Sequence, residues 1–148
     1  MRALTFLAAV AIVASVVVSP GVSAQEPAQP PAPAVKAPPT PAEIKQEVEK
    51  IKKARTLGII PAVGTENEAG ATELRVDNTS AFNLVVLISG PTSLRIELGP
   101  EGSQTVEVDP GAYEIAVTVV GRNLPPFYGT QRIVAKMRFR HQFVIPAI

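Results

Sequence analysis

Residues 113–119 read YEIAVTV, and this stretch decides the fold of the 148-residue chain. Apolar side chains occupy every second position, while Glu114 and Thr118 are among the residues between them. Such alternation indicates a β-strand with one buried face and one face in solvent. The strong turn sequence Asp109-Pro110-Gly111 comes just before the strand. A half-apolar strand of this kind needs a second apolar layer to cover it.

The same period of two recurs on both sides of this stretch, separated by turns rich in Gly, Pro, Asn and Ser. Residues 82–88 (FNLVVLI) differ because they are almost continuously apolar, as in a central strand covered on both faces. A weaker strand is expected near Thr130–Ala135. In the last strand, Met137–Ile145, the alternation places His141 between Phe139 and Phe143 on the interior face.

Seven short strands with turns between them predict an all-β fold over residues 72–148. We expect a small seven-stranded antiparallel β-sandwich of the Ig-like or transthyretin-like type, with a closed barrel as the alternative. The chain contains no cysteine, so packing rather than disulfide bonds must hold this domain together.

The turn before residue 113 also carries a resemblance. Residues 108–113 (VDPGAY), within Leu98–Tyr113, resemble the proline-glycine-x-tyrosine corner of transthyretin-like and carboxypeptidase-regulatory-like sandwich domains. Pro110 presets its φ angle and Gly111 supplies a positive one, as such a turn requires. The resemblance covers about a tenth of the chain and implies a sandwich fold, with no functional residues carried over.

The N-terminus has the pattern of a cleaved signal peptide over residues 1–24. Arg2 precedes the apolar run Leu4–Val18, and Val22-Ser23-Ala24 supplies small side chains before a cut ahead of Gln25. An uncleaved anchor is the alternative, but the run is shorter than a membrane span requires. We therefore expect a secreted or periplasmic protein without a stable membrane span after cleavage.

Residues 25–40 are rich in proline and alanine, which favours an extended, disordered linker. We interpret the linker as a spacer. The alternative is a ligand for PxxP-binding grooves, because Pro27–Pro30 and Pro30–Pro33 match that motif.

A short amphipathic helix is predicted at residues 41–57, with Thr40 as its N-cap and Glu43 closing a capping box. Its apolar stripe of Ile44, Val48 and Ile51 could pack on the same domain, on another protein or a second copy, or on a membrane surface. Residues 58–71 are predicted to be a second linker.

The sequence offers no catalytic set. His141 is the only histidine, cysteine is absent, and no cofactor-binding glycine motif occurs, so no catalytic, cofactor or metal residues are predicted and the protein is expected not to be an enzyme. Removing Arg2 with the signal leaves 13 basic and 13 acidic residues, which argues against nucleic-acid binding. Asn78-Thr79-Ser80 also matches a glycosylation sequon.

Two features stand out as candidate binding sites. Residues 121–148 contain five basic residues and no acidic one, whereas residues 72–120 contain seven acidic residues and two basic ones. These charges could pair across strands, or they could form an anion-binding face. The loop residues Phe127 and Tyr128 could bind a partner or plug the end of the sandwich. The candidate binding residues are Arg132, Lys136, Arg138, Arg140, Phe127 and Tyr128.

These observations favour a non-catalytic binding or assembly module of the bacterial cell envelope, with a protein or envelope polymer as its partner. One alternative is a small carboxylate-based hydrolase or carbohydrate-active domain using a pair such as Glu97 and Glu107. Another is a structural subunit that assembles through an edge strand. The identity of the partner and the oligomeric state stay open.

Overall fold

The computed structural model describes residues 37–146. The predicted signal peptide, residues 25–36 of the predicted linker and both PxxP motifs lie outside this range. The described elements are α1 (Pro41–Lys53), β1 (Leu57–Gly58), β2 (Thr65–Glu66), β3 (Glu73–Asn78), β4 (Leu84–Ser89), β5 (Leu94–Leu98), β6 (Ser103–Glu107), β7 (Gly111–Val119), β8 (Phe127–Ile133) and β9 (Met137–Phe143). Within residues 37–146, no helix is long and apolar enough to cross a membrane.

The strands form two mixed sheets that pack as a β-sandwich. The five-stranded sheet has the order β1-β8-β7-β4-β5, and the four-stranded sheet has the order β2-β9-β3-β6. The pairs β1–β8 and β3–β9 are parallel, and the other pairs are antiparallel. The predicted β-sandwich is therefore confirmed. The prediction of seven strands, all antiparallel, is wrong because the described residues form nine strands with two parallel pairs. This strand order does not confirm the Ig-like type.

The two additional strands, β1 and β2, each contain two residues and lie largely in the predicted linker 58–71. They were missed because a two-residue strand is too short to show an alternating pattern. The parallel pairs were missed for a different reason, since alternation defines which face of a strand is buried and not which neighbour it pairs with.

One apolar cluster fills the space between the sheets. Tyr113, Ile115, Val117 and Val119 are all buried in it, as the alternation predicts. The four-stranded sheet contributes buried residues of its own to the same cluster, namely Leu74, Val76, Phe139 and Phe143. The fold therefore rests on two half-apolar sheets covering each other.

Helix α1 covers the outer face of the five-stranded sheet. The predicted capping box is present at Thr40 and Glu43, although the helix ends at Lys53 rather than at residue 57. Ile44 and Val48 are buried against Leu87 of β4 and Ala116 of β7. The apolar stripe therefore packs on its own domain. Because β4 lies between α1 and the core, both of its faces are covered, as its continuous apolar sequence predicts.

A polar contact reinforces this packing. Lys52 Nζ donates a hydrogen bond to Glu114 Oε1 at 2.7 Å, and the Tyr128 hydroxyl donates to the same oxygen at 2.5 Å. The hydrogen bonds from Lys52 and Tyr128 lower the pKa of Glu114 and outweigh the opposing effect of burial. The helix is thus tied to β7 and β8 by a charge-assisted network.

The turn at residues 109–113 carries the chain from the four-stranded to the five-stranded sheet. Gly111 has a φ of 152°, and the Tyr113 hydroxyl donates a hydrogen bond to the Asp109 carbonyl oxygen at 2.5 Å. The Thr92 N–H donates to that hydroxyl at 3.2 Å. The tyrosine side chain therefore holds both the corner and the neighbouring β4–β5 turn in place.

Asn78 organises the crossing from β3 in the four-stranded sheet to β4 in the five-stranded sheet. Its Nδ2 donates to the carbonyl oxygens of Phe82 and Gly99, each at 2.7 Å, and its Oδ1 accepts hydrogen bonds from Ser80. The side chain is almost fully buried. The sequon therefore marks a structural turn in the folded domain, and its amide is not accessible for glycosylation.

Replacing Gly111 by alanine should destabilise the domain. A Cβ atom there would lie 2.6 Å from Pro91 Cγ, on a backbone with positive φ that L-residues rarely adopt. We expect Gly111→Ala to lower the free energy of unfolding by about 1–3 kcal/mol in urea denaturation. Gly58→Ala is the matched control because its Cβ would meet no atom within 4 Å. Equal stability of the two variants would contradict the role given to the corner.

Candidate functional site

The six candidate binding residues do not form one surface. Arg138 and Arg140 lie on the outer face of the four-stranded sheet, whereas Arg132 and Tyr128 lie on the outer face of the five-stranded sheet. Lys136 occupies the β8–β9 turn with a φ of 61°. Phe127 faces the interior. A ligand that touched all six residues would have to reach both faces of the sandwich.

The two arginines of β9 pair with acidic residues of β3. The parallel register places Arg138 opposite Glu73 and Arg140 opposite Arg75, two residues before Asp77. Arg138 Nε lies 2.7 Å from Glu73 Oε2, and Arg140 Nε is hydrogen-bonded to Asp77. The charge asymmetry of the sequence is therefore accounted for at these positions by cross-strand pairing.

Asp77 is the buried partner in this network, with a side chain only 6% exposed. Burial alone would raise its pKa, but hydrogen bonds from Arg140 and Arg75 reverse the effect and leave the pKa below the usual range. Arg140 is exposed over 60% of its side chain, and the contact with Asp77 uses Nε. Its outer nitrogens are therefore available to a ligand.

The aromatic pair serves two separate packing roles. Phe127 lies 6.3 Å from the Phe143 ring, centroid to centroid, at the margin of the core. Tyr128 packs beneath α1, where Lys52 Nζ lies 5.7 Å from its ring centroid. Both residues lie in β8 rather than in a loop, and Phe127 borders an opening in the molecular surface.

Residues 57–66, which we call the strap, run from one sheet to the other along the open side of the sandwich. Its first residues pair with β8 through β1, and its last residues pair with β9 through β2. In between, the Gln131 side chain accepts a hydrogen bond from the Ala62 N–H at 2.7 Å and donates one to the Ala62 carbonyl oxygen at 3.2 Å. The amide of Gln131 thus substitutes for a neighbouring strand.

A cleft of about 420 Å³ opens between the strap and β9. Residues 58–62 line one side, residues 140–145 line the other, and Phe127 lies between them. Its volume falls in the range of sites that bind small molecules or side chains, about 300–1,000 Å³. Apolar side chains at its mouth are well exposed: Ile60 at 86% and Val144 at 68%. Concentrated exposed apolar surface of this kind is typical of binding sites.

His141 faces this cleft and is only 4% exposed. Its Nε2 atom is buried and has no hydrogen-bond partner in the described part of the chain. Burial lowers the pKa of the imidazole, so the neutral form is favoured near pH 7. The ring stacks on Phe143 with centroids 6.4 Å apart. Because Nε2 is buried, a ligand in the cleft does not reach it in this arrangement.

The cleft therefore offers mainly apolar contact, with the outward-facing side chains of Arg140 and Gln142 at its rim. Across residues 37–146, no group of three or more potential metal-ligating side chains occurs. The arrangement suits recognition of a ligand with an apolar part and a small number of hydrogen-bonding groups.

Sequence reasoning missed the strap because residues 58–71 contain Pro, Gly and an acidic tip that are typical of a linker. One signal was available, since residues 59–63 (IIPAV) are more apolar than a solvated linker should be. The prediction that His141 faces the interior is confirmed, but nothing in the sequence indicated that its Nε2 atom would find no partner in the described residues.

Comparison with known protein families, curated proteins and solved structures finds no match to this chain. Its function therefore has to be inferred from the cleft and from the sequence.

His141 should make stability pH-dependent. The pKa of His141 is lower in the folded protein than its ordinary value of 6.5, so the unfolded chain binds a proton more readily. The stability contributed by the neutral imidazole is therefore complete above pH 6.5 and is lost as the pH falls from 6.5 through the folded-state pKa. Asp77 and Glu114 also have lowered pKa values, so their contributions are lost only below their ordinary values of 3.8 and 4.5. We expect the free energy of unfolding to decrease between pH 7 and pH 5.

The matched variant is His141→Phe, which keeps an aromatic ring beside Phe143 and removes the unpartnered nitrogen. At pH 7 it should be more stable than the parent by about 1 kcal/mol, and its stability should vary less over this pH interval. Urea denaturation at several pH values measures both effects. Parallel pH profiles for the two proteins would contradict the assignment.

Arg140→Glu should destabilise the domain because it places a second carboxylate beside the buried Asp77. Arg140 is largely exposed, so solvent screening limits the expected loss to about 1–2 kcal/mol. Arg138→Glu is the matched control on the same strand, and its partner Glu73 is more exposed than Asp77. We therefore expect the smaller loss for Arg138→Glu, measured by urea denaturation at pH 7. A stable Arg140→Glu protein would show that this arginine is not needed within the domain.

Proposed function

We propose that this protein is a secreted or periplasmic, non-catalytic binding or assembly module of the bacterial cell envelope. In this proposal the β-sandwich presents the cleft between the strap and β9 to a protein or polymer of the envelope. Residues 25–40 serve as a spacer between the point of export and the domain.

The N-terminal sequence supports the export part of the proposal. Residues 1–24 combine a basic residue, an apolar run and small residues before Gln25, which is the pattern that signal peptidase accepts. The proline-rich residues that follow favour extended chain, which keeps a folded domain at a distance from the point of export.

The cleft is the observation on which the binding part depends. It combines apolar walls with the exposed charge of Arg140 on the outer face of the sheet at its rim. Exposed apolar side chains that cluster at one opening mark an interaction site, and Ile60 and Val144 at the mouth of the cleft are both exposed by more than 60%. A partner that covers them would gain apolar contact.

The hydrolase alternative has less support. Glu97 lies on the outer face of the five-stranded sheet and is paired with Arg95 at 2.9 Å, whereas Glu107 lies on the four-stranded sheet. These two carboxylates do not face each other across the cleft. Assembly of copies through an edge strand would have to use β5 or β6, the longer outer strands, because strands as short as β1 and β2 protect an edge from pairing.

The proposal is tested by expressing the tagged full chain in a bacterial host and fractionating the cells. We expect the mature protein in the periplasm or medium with Gln25 as its N-terminus, and an envelope component that co-purifies after cross-linking. Ile60→Asp should reduce recovery of that component by about tenfold or more, because it places a charge at the mouth of the cleft.

Val134→Asp is the matched control, since Val134 is also an exposed β-branched aliphatic residue but lies in the β8–β9 turn outside the residues that line the cleft. It should recover the component as well as the parent does. Retention of the protein in the cytoplasm, or equal recovery with both variants, would contradict the proposed function.

A further inference from the structure

The edge of β9 that faces the strap is unpaired over most of its length. Strand β2 pairs only with Met137 and Arg138, and no other strand lies on that side of β9 in the described residues. On the opposite edge β9 pairs with β3 from Arg138 to Phe143. Residues 140–144 of this edge, which we call the free edge, line the cleft.

The direction of the backbone groups follows from the β3 pairing. The Phe143 carbonyl oxygen accepts a hydrogen bond from the Thr79 N–H on the β3 side. Because successive residues of a strand direct their N–H and C=O groups to opposite edges, Arg140 and Gln142 direct theirs to the free edge. A row of unpaired backbone groups is a template for another extended chain.

We propose that the free edge binds an extended peptide segment of a partner protein, which adds as a further strand beside β9 and places alternate side chains in the cleft. This inference rests on the proposed binding function and specifies its partner. The backbone of the peptide supplies hydrogen bonds to the backbone N–H and C=O groups of Arg140 and Gln142. An acyl chain has no such groups and cannot pair with this edge.

The side chains of β9 define the sequence that such a peptide should have. His141 and Phe143 face inward, so the peptide's inward positions meet an apolar cleft. Apolar residues fit these positions. Arg140 faces outward with its outer guanidinium nitrogens available, so an acidic residue fits the outward position next to it.

A second copy of this chain fits the free edge less well. It would present another β9 edge with its own Arg140, and residues 121–148 contain no acidic side chain to offer. Like charges on neighbouring strands are unfavourable. The charge pattern therefore favours a different protein with acidic residues in an extended segment.

The test begins with selection of phage-displayed random 12-residue peptides on the purified chain. We expect enriched sequences that alternate apolar and polar residues and contain at least one acid. A synthetic copy of the best peptide should shift the backbone amide NMR signals of Arg140 and Gln142. Its affinity should fall about tenfold or more with Ile60→Asp and stay unchanged with Val134→Asp.

Methylation of the peptide's own amide nitrogens is the decisive measurement, because it leaves the protein unaltered. Two methylated peptides are compared. In one, methyl groups replace the N–H hydrogens that face β9, and in the other they replace the N–H hydrogens of the alternate residues, which face away from β9. We expect the first peptide to lose binding and the second to retain it. Equal binding of the two peptides, or enrichment of no peptide, would overturn the inference.

The outcomes also separate this inference from the proposed function. In one outcome the parent protein recovers the envelope component, the Ile60→Asp variant does not, and no peptide binds. The proposed function then stands and strand addition is wrong. Decanoate is the probe for an acyl chain. If decanoate binds in the cleft and no peptide does, the proposed function again stands and strand addition is wrong. Concentration-dependent dimerisation that shifts the Arg140 and Gln142 signals would replace the partner peptide by a second copy and overturn the inference.

Discussion

Leu74 and Val76 from one sheet and Val86 and Val117 from the other are buried in a single apolar cluster, and every other feature depends on that contact. The chain has no cysteine to supplement it with a disulfide bond. Each sheet is apolar on one face, and neither could persist alone in water. Helix α1 adds a third layer by covering the outer face of the five-stranded sheet, which makes β4 and β7 the most enclosed part of the domain.

The position of β9 connects this core to the candidate site. Because β9 pairs in parallel with β3, its arginines lie beside the acidic residues of that strand and stabilise the sheet from outside. The same pairing leaves the opposite edge of β9 beside the strap, where the cleft opens. One strand therefore supplies interior packing through Phe139, surface ion pairs through Arg138, and the wall of the cleft through His141.

The strap shows why the candidate site was only partly predictable. Its strands contain two residues each, and its middle is held by the Gln131 side chain rather than by a backbone ladder. Neither feature produces a periodic pattern. Among the six candidate residues, Arg140 and Phe127 line the cleft, whereas Arg132 and Tyr128 belong to the far side of the five-stranded sheet. Charge and composition identified useful residue types without indicating which of them meet.

The sequence by itself determined the helix cap at Thr40, the corner at Gly111 and Tyr113, and the buried rows of the strands. These follow from local sterics and from a period of two, which neighbouring residues set among themselves. Only the tertiary structure decided that β9 lies parallel to β3, that the strap closes one side, and that Nε2 of His141 is left without a partner. Those outcomes depend on contacts between residues far apart in the chain, which local periodicity does not encode.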